Sequence, residues 1–125
     1  MSDREANSRK EYQDLRKRTK QFGLRVVRMY VQLPKTTEAQ VLGKQVLRSG
    51  TSVGAQYREA YRARSKAEYI SKLGGSQQEL EETTYWFELL VEAGIVSEHK
   101  LSELHAEANE LMAIYVTTLR KLRNR

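Results

Sequence analysis

Cysteine is absent, proline occurs once, and no apolar run approaches the length of a membrane span. Without thiols the chain has neither disulfides nor thiolate metal sites. A membrane helix would need about 18 consecutive apolar residues, and the N-terminus carries no apolar signal region. The expectation is a soluble cytoplasmic protein with no membrane partner. A single proline, few helix-breaking clusters and plentiful Leu, Glu, Arg, Lys and Ala favour an all-α fold. At 125 residues the chain forms one domain with a proper core, not two.

Histidine is also scarce, with two in the chain. A di-iron bundle needs Glu-x-x-His on two helices. Neither His99 nor His105 has a glutamate three residues before it. His99 and Glu103 form an i, i+4 pair that lacks further ligands nearby, so surface pairing is the reading. No cysteine is available as a nucleophile, and the serines fall within helical patterns rather than on sharp turns. Tyr57, Tyr61, Tyr69 and Tyr85 read as packing residues. No catalytic residue, metal site or cofactor is expected, and an unrecognised hydrolase is the remote alternative.

Charge is abundant, and it is unevenly spread. Residues 1–33 carry nine Lys/Arg against four Asp/Glu, and residues 34–66 carry seven against two. Residues 67–96 carry one against six, and 97–125 five against four. The first half is a cation and the third quarter an anion, within a net charge of +6. Such asymmetry points to a polyanion partner for the basic half, or to acidic-on-basic contact between subunits.

In chain order, residues 1–10 lack periodic apolar positions and read as a flexible tail, leaving 11–125 as the folded domain. Leu15, Phe22, Val26, Met29 and Leu33 then recur at helical spacing until Pro34 stops the first helix. Thr37 and Gln40 have capping-box spacing and open a second helix that runs to about Arg64. Ser65 and Glu68 repeat that spacing and open a third, whose core face is Tyr69, Leu73, Ser76, Leu80, Thr83, Phe87 and Val91. Gly94 suits a C-terminal cap and Ser97 an N-cap. In the fourth helix Leu101, Leu104, Ala108, Leu111, Tyr115, Thr118 and Leu122 form a bundle seam. Four such helices with short turns predict an antiparallel up-down-up-down four-helix bundle.

The second helix holds the stretch around which the rest is arranged, Arg48–Ala60, RSGTSVGAQYREA. Gly50 and Gly54 lie one turn apart on one face, where they admit a neighbouring backbone. A close helix crossing is the reading; a phosphate loop lacks its preceding strand and its GK[ST]. Lys44, Arg48, Thr51, Ala55, Arg58 and Arg62 form a separate stripe, four of six basic. Arg18, Arg25 and Arg28 gather on one side of the first helix. These cations are the candidate phosphate contacts, with a merely solvated face as the plain alternative. In the third helix Trp86, Leu89 and Leu90 are displaced from the core stripe and are candidate subunit-interface residues; the alternative is a wide core face with Trp86 at its rim.

Together with LRVVRMYVQLP (Leu24–Pro34) and ELEETTYWFELL (Glu79–Leu90), RSGTSVGAQYREA resembles a family of bacterial four-helix bundles. It is typified by proteins encoded in intervening sequences of 23S ribosomal RNA genes and has carried a ribosomal-protein-like label. The resemblance covers roughly Leu15–Leu122 and implies a ring-like homo-oligomer, with a pentamer as the specific expectation. A more distant similarity is to accessory proteins of diversity-generating retroelements, basic pentameric barrels that bind nucleic acid and a reverse transcriptase. No catalytic residues are established for the family. The matching residues Arg48, Gly50, Ser52, Gly54, Tyr57, Arg58, Glu59 and Ala60 inherit a structural role first. The expected function is therefore a non-enzymatic protein that binds RNA or DNA without sequence preference. The rival is an assembly module whose basic face binds an acidic protein.

Overall fold

The computed structural model describes residues 2–124, leaving out Met1 and Arg125. Four helices make up the described chain, with no strand among those residues: α1 (Asp3–Val31), α2 (Thr37–Tyr61), α3 (Lys66–Glu92) and α4 (Glu98–Arg123). Each helix packs on its two neighbours around a square, α1 on α2, α2 on α3, α3 on α4 and α4 on α1. The pairings run in opposite senses along the chain. Gly23 lies over Gly50 and Thr19 over Gly54, Ser49 bonds Thr83 while Val53 bonds Ser76, and Phe87 meets His105 while Ser76 meets Tyr115. The bundle is antiparallel, up-down-up-down.

Its ends are set by recognisable caps. Ser65 and Ser97 sit in extended conformations and accept hydrogen bonds from the amides of Glu68 (3.1 Å) and Lys100 (3.3 Å). α3 closes in a Schellman motif: the amide of Ile95 donates to Leu90 (2.9 Å) and that of Gly94 to Val91 (3.0 Å), with Gly94 at φ +75°. That backbone conformation is where glycine alone is free of strain.

Three boundaries differ from expectation. The N-cap of α2 is Thr36, whose hydroxyl accepts from Ala39, rather than Thr37. The Gln40 side chain is engaged elsewhere, donating to the Pro34 carbonyl (2.8 Å) and accepting from the Tyr30 hydroxyl (3.1 Å), so no box forms. α2 ends at Tyr61, three residues early, because the extended Ser65 cap needs a non-helical turn before it. Residues 3–10, expected to be a tail, are helical and continue α1 upstream.

The core follows the apolar spacing closely, with Phe22, Val26, Val46, Val53, Leu73, Leu80, Phe87, Leu111 and Tyr115 essentially inaccessible. In α4 the last buried residue is Leu119, not Thr118, since the helical repeat has drifted past that position by the final turns. Among the described residues four serine and threonine side chains are buried and all are bonded: Thr19 to the Leu15 carbonyl (2.7 Å), Ser76 to the Val53 carbonyl (2.7 Å), and Thr83 with Ser49 (2.8 Å).

Candidate nucleic-acid interface

Cations can meet phosphates only where intramolecular carboxylates leave them uncompensated, so the ion pairs decide which candidates qualify. Arg18, on α1, forks onto Glu107 and Glu110 of α4, the second contact at 3.0 Å. Arg48, on α2, spans Glu79 (2.9 Å) and Glu82 (2.5 Å) of α3. Both arginines therefore act first as ties between helices. The acidic third quarter, evident in the composition, serves in part to neutralise the basic half of the same chain.

The Arg18 guanidinium, by hydrogen bonding, holds the Glu107 carboxyl below the usual carboxylate range against the opposing effect of burial; Arg25 adds to the lowering through space. A depressed folded-state pKa contributes stability that is present above the unfolded carboxylate range. It is lost as pH falls through the folded value. Glu107→Gln is accordingly expected to cost about 0.5–1 kcal/mol at pH 7, because the pair is partly solvated. It should also flatten the acid limb of a stability-versus-pH curve measured by urea unfolding. An unchanged acid limb would show that the tie contributes nothing.

The other candidates are scattered around the bundle. Arg25 is half-buried on the α4 side of α1, and Arg28 borders a cavity against the α3–α4 turn that also holds Lys100. Lys44 and Arg62 are exposed near opposite ends of α2, Arg62 as its C-cap. Arg58 is the one candidate facing the α1–α2 seam. There it shares a shallow groove of about 320 Å³ with Lys20, over a floor of Gly23, Leu24, Val27 and Gly54. None of Lys20, Arg25, Arg28, Lys44, Arg58 or Arg62 has a carboxylate within ion-pair distance among the described residues. Lys20 was legible as basic but not as a site residue, because its place opposite Arg58 depends on how α1 and α2 cross.

Gly50 and Gly54 both face α1. A Cβ at Gly50 would lie 2.8 Å from Val26 Cγ2, and one at Gly54 would lie 3.4 Å from the Thr19 carbonyl oxygen. The candidate interface residues fare differently. Leu90 is fully buried, which corrects its assignment: it stands three residues after Phe87 and shares that face. Trp86 is half-buried against the core, donates its indole N–H to Glu82 (3.2 Å) and meets Tyr85 edge-on. Leu89 is half-exposed. A different apolar stripe is open on α1, where Leu24, Val27 and Val31 follow one another at three and four residues.

No group of three or more His, Cys, Asp or Glu suited to a metal ion occurs among the described residues. No helix among them is long and apolar enough to cross a membrane.

The family model described as 23S rRNA-intervening sequence protein matches residues 11–117. A crystal structure of a protein of unknown function from the S23 ribosomal protein family of Bacteroides thetaiotaomicron VPI-5482 has the same fold, with a TM-score of 0.82. The two chains are 31% identical over 87% of this chain and 97% of that one. No curated protein matches. The chain belongs to the 23S rRNA-intervening sequence protein family.

Proposed function

We propose that this bundle is a non-enzymatic nucleic-acid-binding protein that engages phosphates along α1 and α2. The observation that supports it is the fate of the charges: on those two helices only Arg18 and Arg48 are tied to carboxylates among the described residues. Lys20, Arg28, Lys44, Arg58 and Arg62 keep their charge for a partner. Cations spread along two helices suit a backbone of regularly spaced phosphates better than one compact ligand. Base selectivity is expected to be poor, since no base-reading module is present.

The same reading has the protein act as a homo-oligomer, a pentamer on the family resemblance, with the partly exposed Trp86 and Leu89 of α3 at the subunit contact. Titration of RNA and duplex DNA across salt, with light scattering on the same samples, tests both parts. Binding should weaken along a log-salt line, by about 0.9 per phosphate for duplex DNA. Undetectable binding at low salt overturns the first part. A monomer mass at micromolar concentration overturns the second.

A further inference from the structure

At the end of the bundle where α2 gives way to α3 and α4 finishes, a cavity of about 500 Å³ is walled by tyrosines 12, 57, 61 and 69, with Glu11 and Lys121 at its edge. That volume is in the range of small-ligand sites. The rings are ordered rather than jumbled. Tyr61, Tyr12, Tyr57 and Tyr115 form a near-parallel ladder, with successive interplanar angles of 16°, 18° and 11° and the first two rings in direct stacking contact.

Two features separate this cavity from ordinary packing. Tyr57 is 4% exposed, and its hydroxyl makes no hydrogen bond to any described residue. Yet no buried side-chain oxygen or nitrogen among them is left without a partner. The hydroxyl therefore keeps some accessible surface, and Tyr57 lines the cavity. The second feature is charge: Glu11 and Lys121, one carboxylate and one ammonium, both line the cavity. Stacked rings, an unpartnered hydroxyl, one carboxylate and one cation match a planar heteroaromatic ring that carries an anion.

We propose that this cavity holds a nucleotide, with its base stacked on Tyr61 at the open end of the ladder, an exocyclic amine on Glu11 and its phosphate on Lys121. The source of that nucleotide, a single strand, rests on the nucleic-acid reading above; the cavity itself does not. Stacking on aromatic side chains is how proteins grip single strands without reading sequence, and phosphate-tracking cations accompany it. Glu11 adds a preference, since adenine, cytosine and guanine present an amine to a carboxylate whereas uracil does not.

The test is fluorescence anisotropy with labelled hexa-adenylate and with an abasic hexamer of the same charge, competed by AMP. The base-bearing strand is expected to bind roughly five- to a hundredfold more tightly, the worth of stacking one base. Tyr61→Leu should erase that preference. This residue is half-exposed at the end of α2, and circular dichroism verifies the fold. Tyr57→Phe, which removes one oxygen from a ring that stays in place, should weaken the base-bearing strand several-fold and leave the abasic strand unchanged. Displacement by AMP identifies free nucleotides as ligands as well. Equal affinity for the two strands, with no competition by AMP, overturns the cavity proposal and leaves the phosphate reading intact. Binding of AMP with neither strand upholds the cavity and overturns the strand as its source. Binding of nothing at low salt overturns both.

Discussion

Gly50→Val is expected to destabilise the protein by about 1–3 kcal/mol, lowering the thermal midpoint by roughly 4–12 °C at fixed protein concentration. Even the first added carbon would stand 2.8, 2.9 and 3.2 Å from Val26 Cγ2, Cγ1 and Cβ. Val26 is fully buried and β-branched, so its χ1 cannot rotate away, and the backbones of α1 and α2 must separate instead. Separation also disturbs the neighbouring contact at Gly54, which rests on the Thr19 backbone. Gly74→Ala supplies the contrast. Its nearest neighbour would be the flexible tip of Arg123 at 4.0 Å, so the substitution should stabilise by up to about 1 kcal/mol through helix propensity alone. Calorimetry on both variants checks the pair of signs. A Gly50→Val midpoint equal to the unmodified one would mean that the crossing is not close-packed.

Gly50 and Gly54 show why the fold could be read from sequence. Glycine is costly inside a helix, so two of them one turn apart need a packing reason, and periodic Leu, Val and Phe positions supply the helices that cross there. Ser65, Gly94 and Ser97 were equally legible because a cap depends on local chain chemistry. The site was legible in kind but not in detail. The cationic character of α1 and α2 follows from composition. Whether a given cation is free depends on which carboxylate sits across an interhelical seam, and spacing along one helix carries no such information. Arg48 and Arg58 belong to one stripe, yet one faces Glu79 and Glu82 and the other faces Lys20. Leu90 failed for a related reason. Its own i, i+3 relation to Phe87 argued for the core, and too narrow a core stripe hid it. The tyrosine ladder was missed because its members come from three helices, and only the fold stacks them.

The division between tied and free cations yields the prediction with the largest effect on function. Lys20 and Arg58 have no carboxylate partner among the described residues, so replacing both by glutamine should remove two phosphate contacts. The slope of log affinity against log salt for duplex DNA should then become shallower by about 1.8, with affinity near 50 mM salt falling about tenfold or more. Arg48 should behave in the opposite way. Glu79 and Glu82 already hold its guanidinium, at 2.9 and 2.5 Å, so its charge is cancelled where it stands. The Arg48 guanidinium also depresses the Glu82 carboxyl, chiefly by hydrogen bonding, so that carboxylate stays ionised at any physiological pH. Glu79→Gln with Glu82→Gln should release Arg48 toward phosphate, steepen the slope by about 0.9 and tighten binding, even though neither residue touches the ligand. The accompanying loss of stability should be small, because Arg48 is about half-exposed and such pairs are screened. Anisotropy titrations of one duplex at four or more salt concentrations measure both slopes. If the two double variants give lines parallel to that of the unmodified protein, neither Lys20 and Arg58 nor the released Arg48 lies against the nucleic acid, and the binding face must be sought elsewhere on the bundle.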